Sequence, residues 1–337
     1  MVLMSKLFKF FILFLFITVN SSCNFASSES GSVSPTPTGI NQQPDHSVTL
    51  VHPGETASIT PTPTLVTNTL PSSSSQILRF AVIGDYGNGD TAEKGIAELI
   101  MSWKPDLIIT TGDNNYPDGS ASTIDQNIGQ YFHSFIYPYL GIYGKGSTEN
   151  RFFPSLGNHD WVTDQAHPYL DYFALPGNER YYQFSQGPVS FYAIDSDSQE
   201  PDGVNSSSIQ ANWLKQQLLN SSATWNIVYF HHPSYSSGKH GSTTWMRWPF
   251  KEWGVDLVLS GHDHTYERLQ IDGLTYIVNG LGGAAIYDFN QILTGSLIRY
   301  NQDYGAMLIE ASPENLKLQF INRSGEIIDD ATLFANP

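Results

Sequence analysis

A series of five turns narrows the fold more than any other feature of this sequence. Each closes a short apolar run and each offers an oxygen or nitrogen donor: Gly84-Asp85-Tyr86-Gly87, Gly112-Asp113-Asn114-Asn115-Tyr116, Gly157-Asn158-His159-Asp160, Val228-Tyr229-Phe230-His231 and Gly261-His262-Asp263-His264. The preceding runs read as strands. Residues 78–84 (LRFAVIG) are almost continuously apolar, the pattern of a strand buried on both faces, and 107–112 (LIITTG) repeats it. Between them, residues 91–103 place Ile96, Leu99 and Ile100 at helical spacing, which makes a βαβ unit. In open sheets of this kind, ligands bind beyond the carboxyl ends of the strands. One Gly-Asp after a strand is ordinary turn chemistry. Five donor turns in order predict a shared site.

Further strands are predicted at 153–157, 189–194, 225–230, 256–261 and 274–278, with helices at 208–219 and 243–253 and antiparallel tail strands at 305–311 and 315–322. The result is a mixed α/β domain over residues 77–337, without internal repeats. Composition limits the donor chemistry. A single cysteine excludes an internal disulfide framework and thiolate clusters, so Asp, Asn, His and Tyr remain, a set suited to Zn, Mn or Fe. With 32 acidic against 16 basic residues and a net charge of -16, no broad basic face is available and no nucleic-acid partner is expected.

The first 23 residues read as a secretory signal: Lys6 and Lys9, then an apolar run over 10–19, then small polar residues before Cys23. That run is shorter than the ~20 residues a membrane span needs. Export to the periplasm or the extracellular space is the expectation. Cys23 stands where a bacterial lipoprotein is cleaved and acylated, which points to membrane attachment by a lipid, although Asn20 departs from the usual lipobox. A plain cleaved signal is the other reading. Residues 24–76 are rich in Ser, Thr and Pro and read as a disordered tether, with His46 and His52 as linker residues.

The donor series resembles the calcineurin-like metallophosphoesterases and, within them, the purple acid phosphatases. Most of that superfamily has Asp-X-His in the first motif. Here Gly87 takes the His position and Tyr116, three residues after Asp113, supplies a donor, which is the purple acid phosphatase pattern. The resemblance implies two mixed β-sheets packed as a sandwich flanked by helices (α/β/β/α). It also implies that Asp85, Tyr116 and His264 bind Fe(III), that Asp113 bridges, and that Asn158, His231 and His262 complete a site for a divalent Fe, Zn or Mn ion. Position 240, nine residues after His231, is His, as the family requires of a substrate residue. His159 and His240 are accordingly expected on substrate oxygens and the leaving group, with orientation of a ligand as another role for His159. His232 reads as packing or as a partner of a ligand, and His133 and His167 as ordinary helix or loop residues. Where animal members carry a further His just after the Gly-Asn-His-Asp turn, this chain has Trp161, a departure that bears on the shape and polarity of the substrate mouth.

The implied activity is hydrolysis of small phosphate monoesters, as an acid phosphatase, by in-line attack of a metal-activated hydroxide on phosphorus. A phosphodiesterase with a dinuclear Mn or Zn site on the same fold is the rival enzyme. A non-catalytic surface lipoprotein that keeps the fold for binding is the rival outside enzymes.

Overall fold

The computed structural model describes residues 77–335. The expected signal segment (1–23) and the expected tether (24–76), with Cys23, His46 and His52, lie outside the described residues. In chain order come β1 (Leu78–Ile83), α1 (Thr91–Trp103), β2 (Leu107–Thr110), the one-turn α2 (Gln130–Phe132), β3 (Phe152–Pro154), α3 (Asn158–Trp161), α4 (His167–Tyr172), β4 (Tyr182–Gln186) and β5 (Val189–Ala193). After these follow α5 (Ile209–Leu219), β6 (Trp225–Tyr229), β7 (Leu257–Ser260), β8 (Tyr266–Ile271), β9 (Leu274–Asn279), β10 (Ser296–Tyr300), β11 (Gly305–Ala311), β12 (Asn315–Asn322) and β13 (Ile327–Phe334).

The strands form two mixed sheets, ordered β13-β12-β11-β1-β2-β3 and β10-β8-β9-β7-β6-β5-β4. Within the first, β1, β2 and β3 are parallel; within the second, β5, β6, β7 and β9 are. All five donor turns therefore follow strands of these parallel blocks. Apolar side chains fill the space between the sheets, and aromatic pairs cross it: Phe80 meets Phe191 edge-on at 5.0 Å, Phe153 stacks on Phe184 at 3.7 Å and Tyr266 on Phe320 at 4.1 Å. Those of these rings that are fully buried, Phe80, Phe191, Tyr266 and Phe320, contribute about 1.5–3 kcal/mol each.

Helices cover the outer faces, as the expected α/β/β/α order requires. Helix α1 starts where Asp90 accepts the N–H groups of Ala92 (2.9 Å) and Glu93 (3.1 Å), and buries Ile96, Ala97 and Ile100. Helix α5 starts at Ser208, which accepts the Ala211 N–H, and packs Leu214 and Leu218 into a second cluster with Val228 and Phe230.

The helix predicted over 243–253 is replaced by one 3₁₀ turn, Thr244–Met246, followed by turns. Pro249 lacks an N–H and disfavours helical backbone at Trp248. The apolar residues of that stretch are still used, since Trp248 and Phe250 are buried.

One charged cluster ties the sheets together. Arg268 on β8 grips Asp329 on β13 through both guanidinium arms (2.7 and 3.0 Å), and Tyr266 donates its hydroxyl to the same carboxylate (2.8 Å). Asp329→Ala leaves Arg268 and Tyr266 without their acceptor and is expected to cost about 3 kcal/mol, read as a lower urea midpoint at unchanged slope.

Candidate metal centre

The carboxyl ends of β1, β2 and β3 in one sheet face those of β6 and β7 in the other. Asp85 follows β1 and is buried; both its oxygens accept the backbone N–H of His262 from across the sandwich (3.1 and 3.0 Å). His264 Nε2 lies 3.4 Å from Asp85 Oδ1. The Tyr116 hydroxyl sits among three partners: Asp113 Oδ2 (3.0 Å), Asp85 Oδ1 (3.4 Å) and His264 Nε2 (3.2 Å). Asp113 Oδ2 also faces His231 Nε2 at 3.3 Å. His231 Nε2 in turn lies 3.0 Å from Asn158 Oδ1 and 3.1 Å from His262 Nδ1. All seven predicted donors are thus brought together, in two groups that share Asp113.

The donor set fits cations. One donor atom each from Asp85, Asp113 and His264 lie within 4.8 Å of one another, and so do nitrogens of His231, His232 and His262. His231 Nδ1 is paired with the Thr111 carbonyl at 2.9 Å and His264 Nδ1 with that of Ala285 at 2.5 Å, so in each ring Nε2 is the nitrogen turned to the site. Two carboxylates, a phenol, an amide and three imidazoles converging on so small a space are oxygen and nitrogen ligands that Fe, Zn or Mn accept.

Charge coupling is strong here. Burial pushes the Asp113 carboxyl up, but the His231 imidazole and then His159 hold it well below the ordinary range. Burial works against the charged His231 ring, yet Asp113 beside it raises that imidazole to about 10. Burial, followed by Asp113 and Asp85, raises the Tyr116 phenol.

The loops hold this geometry at some cost. Asp85, Asp113 and His262 all have left-handed backbone, with φ of 55°, 52° and 68°, an uncommon state for non-glycine residues. Gly87 explains the loss of the first-motif histidine: a Cβ there would fall 1.8 Å from the Asn114 carbonyl oxygen. The same crossing brings the Tyr116 N–H to Gly87 O at 2.8 Å, so the glycine and the tyrosine donor belong to one loop contact. Asp160, at the end of the Gly157-Asn158-His159-Asp160 turn, accepts from Gly157 N, Asn114 N and Asn114 Nδ2 and so fixes two donor turns to each other.

The two histidines expected on substrate stand at the rim. His159 places its ring 4.4 Å from that of Tyr116, with Nδ1 held 2.5 Å from Pro117 O and Nε2 3.9 Å from Asp113 Oδ2. His240 is exposed, and its ring lies 4.4 Å from that of His262. Asp263 positions it: Oδ1 accepts the His240 N–H (2.7 Å), and Oδ2 accepts the Gly241 N–H (3.0 Å) and the Ser236 hydroxyl (2.5 Å). Sequence reasoning had no signal for this role of Asp263, which acts across 23 residues.

His133 bonds Gly129 O and His167 bonds Asp164 O, both local contacts. Trp161 is buried beside the turn that carries His159. Its ring is in the main core and donates Nε1–H to Asp195 (2.8 Å).

The model for the calcineurin-like phosphoesterase family matches residues 78–266. The chain belongs to that family, and its family and its curated relatives make it a hydrolase acting on phosphoric ester bonds. Among curated relatives, Purple acid phosphatase 17 of Arabidopsis thaliana is 26% identical over 293 residues, covering 77% of this chain and 85% of that protein. Fe(3+)-Zn(2+) purple acid phosphatase 12 of the same plant is 27% identical over 224 residues, 60% of this chain and 46% of its own length. Two solved structures share the fold. GAP50, described as the anchor in the inner membrane complex of Plasmodium, superposes with a TM-score of 0.62 at 21% identity over 77% of this chain and 90% of that one. The purple acid phosphatase PPD1 from yellow lupin (Lupinus luteus) gives 0.61 at 19% identity over 77% and 54%. The resemblance drawn from the donor turns is thus the one that the two curated relatives carry in their names.

Proposed function

We propose that this protein hydrolyses small phosphate monoesters with a dinuclear Fe(III)–M(II) pair, M being Fe, Zn or Mn, and that it is an acid phosphatase. The observation that carries this reading is the Tyr116 hydroxyl placed among Asp85, Asp113 and His264, on a loop whose crossing leaves no room for a side chain at Gly87. Asp85, Tyr116 and His264 would hold the ferric ion, Asp113 would bridge, and Asn158, His231 and His262 would hold the divalent one. When bound, such a pair supplies Lewis-acid charge and activates water toward phosphorus.

The chain's own residues do the rest. Nitrogens of His231 and His264 are aimed by their carbonyl partners, so little reorientation is needed when ligands bind. His159, held through Nδ1 by Pro117 O, keeps Nε2 for a phosphoryl oxygen. His240, carried by the loop that Asp263 grips, gives its proton to the departing alkoxide. The acidic surface does not decide against an anionic substrate, because bound cations dominate the field within a site. The reading extends to an exported protein, periplasmic or extracellular, with residues 24–76 as the tether and Cys23 as a lipid attachment point.

Parallel assays on a monoester and a diester, each with wild type and His240→Ala, test the function. Wild type is expected to prefer the monoester. His240→Ala is expected to lower kcat about 10²-fold on an alkyl phosphate and far less on an aryl phosphate, whose leaving group needs no proton. Strong preference for the diester, or an equal loss on both leaving groups, contradicts the proposal.

A further inference from the structure

His232 has no part in the assignment above, yet its ring lies 4.4 Å from that of His262 and 5.0 Å from that of His231, and nitrogens of all three fall within 4.8 Å of one another. Two uses fit that position. His232 could be a third nitrogen ligand for the divalent ion, or a hydrogen-bond donor to the substrate.

Ser196 decides between them. Its side chain is fully buried; Oγ accepts the backbone N–H of His232 at 2.8 Å and lies 2.9 Å from His232 Nδ1. A hydroxyl has one hydrogen, and a buried one is nearly always given to an acceptor. Among the described contacts of Ser196 Oγ, Nδ1 of His232 is the acceptor within reach. The Ser196 O–H therefore donates to Nδ1, and the neutral ring carries its own proton on Nε2. A nitrogen bearing that proton has no lone pair for a cation, but it is a donor. The serine is itself fixed, since Trp245 donates Nε1–H to its carbonyl at 3.2 Å.

We propose that His232 is a substrate-binding residue, whose Nε2–H donates to a phosphoryl oxygen of the phosphate monoester, and that Ser196 is the positioning residue that sets its tautomer and direction. This rests on the phosphatase reading. It adds a third histidine to His159 and His240, on the side of the site where His231 and His262 stand.

The test is calorimetric titration of inorganic phosphate into the metal-loaded full chain, with elemental analysis, for wild type, His232→Ala, His232→Gln and Ser196→Ala. All four are expected to retain both metals. Phosphate affinity falls about tenfold or more in His232→Ala, the size of one hydrogen bond to a charged group. His232→Gln, which keeps an N–H near the position of Nε2, recovers much of that loss, and Ser196→Ala lies in between. KM for a monoester rises with the loss of phosphate affinity, while kcat changes less. Loss of one metal equivalent in His232→Ala overturns the donor role in favour of a ligand. Retained metals with unchanged phosphate affinity overturn it in favour of packing. Wild type that takes up both metals but neither binds phosphate nor hydrolyses a monoester overturns the phosphatase reading itself, a failure distinct from the other two.

Discussion

Asp113→Asn is expected to remove both metals from the purified protein and to lower monoester hydrolysis by about 10³-fold or more. Asp113 is the donor that the two groups share: Oδ2 faces the Tyr116 hydroxyl at 3.0 Å and His231 Nε2 at 3.3 Å. Its other oxygen, Oδ1, accepts the His159 N–H at 2.9 Å, which holds the Gly157-Asn158-His159-Asp160 turn in place. Asparagine can keep that contact through its amide oxygen, so the fold should survive and the loss should be specific to the site. It cannot supply a charged bridging oxygen. A dinuclear site contributes several kcal/mol of transition-state stabilisation, and each 1.36 kcal/mol is tenfold in rate. Elemental analysis and kcat/KM on the same sample are the measurements. Full metal content with near wild-type turnover would remove Asp113 from the centre.

The second large effect is optical. Wild type loaded with iron and a divalent ion is expected to show a visible absorption band from phenolate-to-iron charge transfer, and Tyr116→Phe is expected to abolish it. Phenylalanine keeps the ring that packs 4.4 Å from His159 and removes only the oxygen that faces Asp85, Asp113 and His264. Packing and colour are thereby separated. If the variant keeps the band, another residue is the chromophore. A colourless, iron-free wild type with full activity would replace the ferric assignment by a site of two divalent ions.

Much of this site was legible because each donor turn is a local signal: an apolar strand, in four of the five turns a glycine, then an oxygen or nitrogen donor. The helix predicted at 91–103 matches α1 because Asp90 and the Ile96 and Ile100 stripe all lie within it or beside it. Strands β4, β8, β10 and β13 were not predicted. Edge strands such as β4 and β13 hold polar residues, and β8 contains Glu267 and Arg268, whose partners come from distant chain segments. Long-range polar contacts also hid the supporting residues. Nothing in the local sequence links Ser196 to His232, 36 residues on, or Asp263 to the loop that carries His240. The pair His231-His232 shows the limit best: spacing to His240 picks out His231, but only the carbonyl of Thr111 and the hydroxyl of Ser196 show what each ring can do.

The placement of β1 between β2 and β11 bears on when the centre can come into being. Asp85 hangs from the end of β1, and its hydrogen bond to the His262 backbone spans 177 residues of chain. Its strand is paired on one side by residues 305–311, close to the C-terminal end of the described chain. No short stretch holds a working set of donors, so a metal ion cannot nucleate this domain as it does a zinc finger. Contacts of such sequence separation form late and slowly. Metal capture should therefore be a closing event, and stoichiometric uptake a sign that the last strands have reached their places.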